Sequence, residues 1–188
     1  DVGLRNLDIS LGLSDVPALS FLDVSEGSYT LEDAARHPRY PTLRFLTAPM
    51  NRPVEKIDTE AFGAMLRRAR DSFDFVFLDA GFRLCSTWTD RFLLVTGPGP
   101  AAIRDAARVS DLLELSGKRN VRLVVNRVDE ELLSTVRLTI DDVMDTTGTP
   151  LSGVVPEDAN ITLAAAFGTP VLMYARKCPA ARAFRRIA

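Results

Sequence analysis

Four stretches of the 188-residue chain carry side chains whose types and spacing could do chemistry. Asp1-Val2-Gly3-Leu4-Arg5-Asn6-Leu7-Asp8 sets two carboxylates able to hold a cation or a polarised water beside an arginine and an asparagine able to hydrogen-bond phosphate or a partner. Gly3 adds the backbone freedom that such a loop needs, and the plainer account is a polar loop with a helix cap. Phe75-Val76-Phe77-Leu78 is a continuous apolar run ending in Asp79. A run of this kind suits a strand covered on both faces, and open α/β sheets bind ligands beyond the carboxyl ends of their strands. A carboxylate there can orient Mg²⁺ through its water shell, or merely cap the next turn. Asn126-Arg127 and Pro156-Glu157-Asp158 follow two further stretches that read as buried strands, Val121–Val125 and Leu151–Val155. Asn126 could simply satisfy its own turn.

The elements that must position these residues alternate between short apolar strands and amphipathic helices. Leu7–Leu13 reads as loop with a helical turn, punctuated by Ser14-Asp15-Val16-Pro17. Thr30, with Asp33 three residues on, reads as the cap of a short helix that Pro38 must stop. Leu43–Ala48 reads as a strand. After Pro53, Phe62, Met65, Leu66, Ala69 and Phe73 recur at helical spacing, leaving Arg67, Arg68 and Arg70 on the wet side. Phe92–Val95 is a strand broken by Gly97-Pro98-Gly99-Pro100, and a helix from Ala101 to Leu115 follows with Ile103, Ala106, Ala107 and Leu113 on its core face. Helices are expected at Thr139–Met144, Asn160–Ala166 and from Pro179, with a turn at Gly168-Thr169-Pro170. The fold class this implies is α/β: a mostly parallel, doubly wound sheet with helices on both faces, in one domain spanning residues 1–188.

Composition narrows the function classes. With 46% hydrophobic and 26% charged residues the chain can bury a substantial core, and a net charge of −2 gives no global basic field for nucleic acid. Cys85 and Cys178 lie far apart and form no metal-spaced pair, so reduced thiols in a cytosolic protein are expected. His37 is the single histidine; it rules out two-histidine metal sites, and beside Pro38 it reads as exposed. No apolar run approaches the ~18 residues of a membrane span, and there is no internal repeat.

Gly3-Leu4-Arg5-Asn6-Leu7-Asp8 after an acidic residue resembles the switch I segment of the MinD branch of the ParA/MinD ATPases, which position bacterial division machinery. The similarity runs along nearly the whole chain. Asp23-Val24 with Leu31-Glu32-Asp33-Ala34, then Leu46-Thr47-Ala48-Pro49, Phe75–Asp79, Ala102-Ile103-Arg104-Asp105-Ala106, Val124-Val125-Asn126-Arg127 and Gly153–Asp158 follow in the family's order. The resemblance implies a P-loop NTPase-like fold whose parent binds and hydrolyses ATP with Mg²⁺ and forms a homodimer when ATP-bound. It further implies regulators of the MinC and MinE type and a location in the cytoplasm, peripheral at the inner face of the membrane. Asp79 would be the Walker B carboxylate that orients Mg²⁺, and Asp1 would help place the attacking water. Asn126, Arg127, Pro156 and Asp158 would frame the adenine, and Arg5, Asn6, Arg104 and Asp105 would face partner or dimer. For Arg104 and Asp105 a surface ion pair is the simpler account.

Three departures qualify that picture. No glycine-rich phosphate loop is present: the Gly117-Lys118 pair is followed by Arg119, and Leu112 stands five residues before Gly117. In the family that loop precedes switch I, so the expectation is an N-terminally incomplete sequence missing the first strand, phosphate loop, first helix and second strand. The missing first strand would leave an open slot or a collapsed pairing between the strands ending at Asp79 and Val95. Switch II, between Asp79 and Asp90, is short. The chain stops at Ala188, before the family's basic amphipathic tail that binds anionic lipid. The alternatives are a non-hydrolysing scaffold of the same fold, or a ParA-type ATPase that places plasmids, flagella or other cargo.

Overall fold

In the computed structural model, residues 6–49, 57–79 and 87–188 are described. They fall into two compact units, Asp1–Trp88 and Thr89–Ala188.

The first unit is organised by α2 and α3. A helical turn α1 (Leu7–Ser10) precedes α2 (Phe21–Ser25), a 3₁₀ turn at Leu31–Asp33, strands β1 (Ala35–His37) and β2 (Tyr40–Phe45), and α3 (Thr59–Ser72). Ser20 caps α2 reciprocally: its hydroxyl receives the Asp23 amide, and the Asp23 carboxylate accepts the Ser20 amide at 2.8 Å. Asp58 caps α3 by accepting the amides of Glu60 (2.9 Å) and Ala61 (3.1 Å). With both helices capped at their starts, the apolar stripe of α3 (Phe62, Met65 and Ala69) packs on Phe21, Leu22 and Val24 of α2, and the Phe21 and Phe62 rings meet edge-on with centroids 5.2 Å apart. Arg67, Arg68 and Arg70 are exposed, as their spacing predicts, and the Arg67 guanidinium lies 5.3 Å from the Trp88 ring centre.

The second unit is a three-stranded parallel sheet with helices on both faces. Its elements are β3 (Phe92–Thr96), α4 (Pro100–Leu115), β4 (Val121–Val128), α5 (Glu130–Val136), α6 (Ile140–Thr147), β5 (Leu151–Pro156), α7 (Ala159–Ala166), α8 (Val171–Tyr174) and α9 (Pro179–Ile187). The order is β3-β4-β5, so each strand-to-strand connection crosses over through helix. Successive residues of β4 serve opposite layers: Leu123 and Val125 pack with Ile103, Leu133 and Val143 from α4, α5 and α6, whereas Val124 packs with Val155 and with Ala180 and Ala183 of α9. Gly153 lets α9 close on the sheet, because a Cβ there would lie 2.5 Å from Cγ1 of Ile187.

Several expectations are corrected. Phe75–Leu78 is not a strand covered on both faces: the run joins no ladder among the described residues, and Phe75 and Phe77 are 77% and 84% exposed, their rings stacked 6.3 Å apart. Apolarity suits a residue to a strand, but a strand exists only through hydrogen-bonded neighbours. β3 shows the same surface on one face, with Leu93 and Val95 exposed. The Thr30 cap forms, with the Asp33 carboxylate accepting the Thr30 amide and hydroxyl at 2.8 Å each, yet it starts a single 3₁₀ turn and the chain continues as β1. The Leu43–Ala48 strand is β2, shifted to Tyr40–Phe45 and antiparallel to β1; Thr47 makes an isolated parallel bridge to Ser20. His37 is buried, not exposed: Nδ1 accepts the Arg39 amide (3.1 Å), so Nε2 carries the hydrogen and donates to the Leu11 carbonyl (3.0 Å), against the Tyr40 ring. Helices α2, α5 and α8 had no counterpart in the sequence reading. For α5 the signal was present, since Asp129 is its cap and Glu130 and Glu131 fill its first turn.

Candidate functional site

At the carboxyl ends of β4 and β5 the chain makes one irregularity and one clamp. The register pairs Val125 with Val154 and Val128 with Pro156, so three steps along β4 match two along β5 and one residue is extra. This bulge falls on Asn126-Arg127. It has two consequences. Val128 returns to the face shared by Leu123 and Val125, which an unbroken alternation would deny it. Arg127 takes a left-handed backbone with φ of 58°, where a non-glycine residue is strained. The Asn126 side-chain oxygen accepts the Arg127 amide at 3.0 Å, which supports the turn from within. Across the strand ends Arg127 Nε donates to Glu157 Oε2 at 2.9 Å, and the Glu157 amide donates to the Val128 carbonyl at 2.9 Å.

The next residue, Asp158, is 8% exposed. Its Oδ1 accepts the Asn160 amide (3.0 Å) and the Asn160 side-chain amide (2.7 Å), so it caps α7, while Oδ2 accepts the Ala180 amide (3.2 Å) from the first turn of α9. The Asn160 amide, followed by bonds from the Cys178 thiol, the Asn160 side chain and the Ala180 amide, holds the carboxyl down to about 2. Cys178, a free thiol, caps α9 in turn, its sulfur receiving the Ala181 amide at 3.4 Å.

The structure thus brings together Asn126, Arg127, Pro156 and Asp158, the residues expected at the base. Sequence reasoning had not assigned roles to Glu157, Asn160 or Cys178; the Asp-x-Asn spacing ahead of an apolar helix was the available signal for the α7 cap. Arg104 and Asp105 are exposed on α4, and neither makes an ion pair among the described residues. In the first unit, exposed Asp79 borders an apolar cavity of about 340 Å³ lined by Leu31, Phe62, Met65, Phe73, Val76 and Leu78. Asn6 stands at the cap position of α1. Asp1, Arg5, Cys85 and most of the short switch II segment lie outside the described residues.

A bulged, strained strand end beside a second strand end, carrying amide and guanidinium donors and a carboxylate, fits the base end of a nucleotide. For a metal, the described residues offer no cluster of three or more possible ligands. Asp79 alone fits a Mg²⁺ that keeps most of its waters, not a protein cage.

No protein-family model matches the chain. The septum site-determining protein MinD of Synechocystis is 32% identical over 196 residues, covering all of this chain and 74% of that protein. Among solved structures, the MinC:MinD cell division protein complex of Aquifex aeolicus superposes with a TM-score of 0.87 at 30% identity, over 99% of this chain and 78% of that one. MinD of Pyrococcus horikoshii, solved with Mg-ADP, shares the fold with a TM-score of 0.79 at 24% identity, over all of this chain and 78% of that one. The chain belongs to the MinD family of septum site-determining proteins, the MinD branch of the ParA/MinD ATPases, and has their α/β fold.

Proposed function

We propose that residues 1–188 form part of a single nucleotide-binding domain in a protein that binds and hydrolyses ATP with Mg²⁺, dimerises when ATP-bound and positions division machinery. The observation that carries this reading is the juxtaposition of Asn126, Arg127 and Pro156 at the ends of adjacent parallel strands, in a chain that matches MinD along its whole length. Asn126 and Arg127 would contact one side of the adenine, and Pro156 and the loop after it the other. Asp79 would hold a water of the Mg²⁺ shell, and Asp1 would help place the attacking water. Mg²⁺, when bound, neutralises charge that builds on the transferred phosphoryl oxygens. The phosphate-binding lysines that this chemistry requires are not among these 188 residues.

Arg5, Asn6, Arg104 and Asp105 are assigned to partner or dimer contacts. A MinC-type regulator is the first partner to test, because the Aquifex relative was solved in complex with MinC, and a MinE-type regulator is the second. The family resemblance implies a protein in the cytoplasm, peripheral at the inner face of the membrane; no described helix is long and apolar enough to cross a membrane. The short Asp79–Asp90 segment favours slow turnover over tight regulation. Steady-state ATP turnover by the intact protein tests the reading: Mg²⁺-dependent hydrolysis is expected, reduced about a hundredfold by Asp79→Asn. Turnover untouched by that substitution would refute the role of Asp79.

A further inference from the structure

We propose that Asp158 is a positioning residue, which fixes the Pro156-Glu157 loop opposite the Asn126-Arg127 bulge by tying the first turns of α7 and α9 to the end of β5, and does not itself touch the base. The inference rests on the nucleotide reading above and deepens it. Both carboxylate oxygens are occupied: Oδ1 by the backbone and side-chain amides of Asn160, Oδ2 by the amide of Ala180. Each of the two helices would otherwise present unsatisfied amides at its start, and a single buried carboxylate answers donors from both.

The residues between the clamp and the bulge leave little slack. Glu157 is the immediate neighbour of Asp158, its amide is bonded to Val128 and its side chain to Arg127. Pro156 is opposite Val128 in the register, and its ring fixes one backbone angle. From beneath, Ala180 and Ala183 of α9 pack on Val124 and Val155, so the helix that Asp158 grips is seated on the same two strands. A displacement of Asp158 therefore passes directly to Glu157, and through Glu157 to Arg127. A carboxylate already committed to three amides has little capacity to recognise an adenine edge.

The test uses the intact protein and three readouts on each variant: the Kd for ATP, the ratio of GTP to ATP affinity, and amide hydrogen exchange at Asn160 and Ala180 without nucleotide. In Asp158→Asn the exchange at Ala180 accelerates, ATP binds about tenfold more weakly, the loss expected for one charge-assisted bond, and discrimination against GTP falls. Asn160→Ala removes only the 2.7 Å side-chain bond and shifts all three readouts the same way, with ATP weakened about threefold. It also carries the test alone if Asp158→Asn fails to fold. Faster exchange with unchanged ATP affinity and unchanged discrimination would show a purely structural role and overturn the proposal. Weaker ATP binding with unchanged exchange would show direct contact with the base and overturn it equally. Wild-type protein that does not bind ATP would refute the nucleotide reading itself, before any variant is compared, and the proposal with it.

Discussion

Asp158 and His37 show how a polar side chain becomes buried: every polar atom that enters the interior finds a partner first. The Asp158 carboxyl sits near 2 in the folded chain, below its ordinary 3.8, chiefly because the Asn160 amide bonds its charged form. A depressed carboxyl contributes stability that is fully present above its ordinary value and is lost as pH falls toward the folded one. The urea midpoints of wild type and Asp158→Asn should therefore differ at pH 7 and converge between about pH 4 and pH 2. Asp158→Ala, which removes the cap as well, should cost about 2 kcal/mol at pH 7. His37→Phe keeps a ring of similar shape but leaves the Leu11 carbonyl and the Arg39 amide without their bonds, at a cost of about 2 kcal/mol in a denaturant titration. Nothing in the sequence marked His37 as buried, since its partners are a carbonyl 26 residues away and an amide two residues on, neither of which has a side-chain signature.

At the scale of elements, what was legible was local and periodic. The stripe of α3, the breaks before α4 and the buried run of β4 follow from spacing of 3.6 or 2 and from Gly and Pro positions, and each stands within a few residues of its expected place. Phe75–Leu78 was read from its apolarity as a strand and is none, because pairing is decided by neighbours that a window of sequence does not contain. The exposed Phe75 and Phe77 yield a prediction. Replacing both with Ser should change stability by less than about 1 kcal/mol and should reduce self-association measured by sedimentation, whereas a truly buried strand would lose several kcal/mol. Gly153 gives a second. Gly153→Ala should cost about 1–3 kcal/mol by pressing on Ile187, and Ile187→Ala should relieve part of that in a double-mutant cycle. Additive losses would mean that the helix does not approach the strand at Gly153. The bulge at Asn126-Arg127 has no signature in the sequence, because the extra residue is defined only by the register of β4 against β5.

For the whole molecule, the family was legible because several motifs occur in one order, and that order reflects a sheet whose strand ends must converge on one ligand. Asn126, Arg127 and Pro156 lie at the ends of β4 and β5, and the Asp158 carboxylate accepts the amides of Asn160 and Ala180. We propose this strand-end bulge as the base end of an ATP site. Calorimetric titration of Mg-ATP into the intact protein, wild type against Asn126→Ala, tests it most directly: the account predicts saturable micromolar binding that weakens about tenfold in the variant, while thermal stability changes little. Equal ATP affinity in the two proteins, or no binding by wild type, would contradict it.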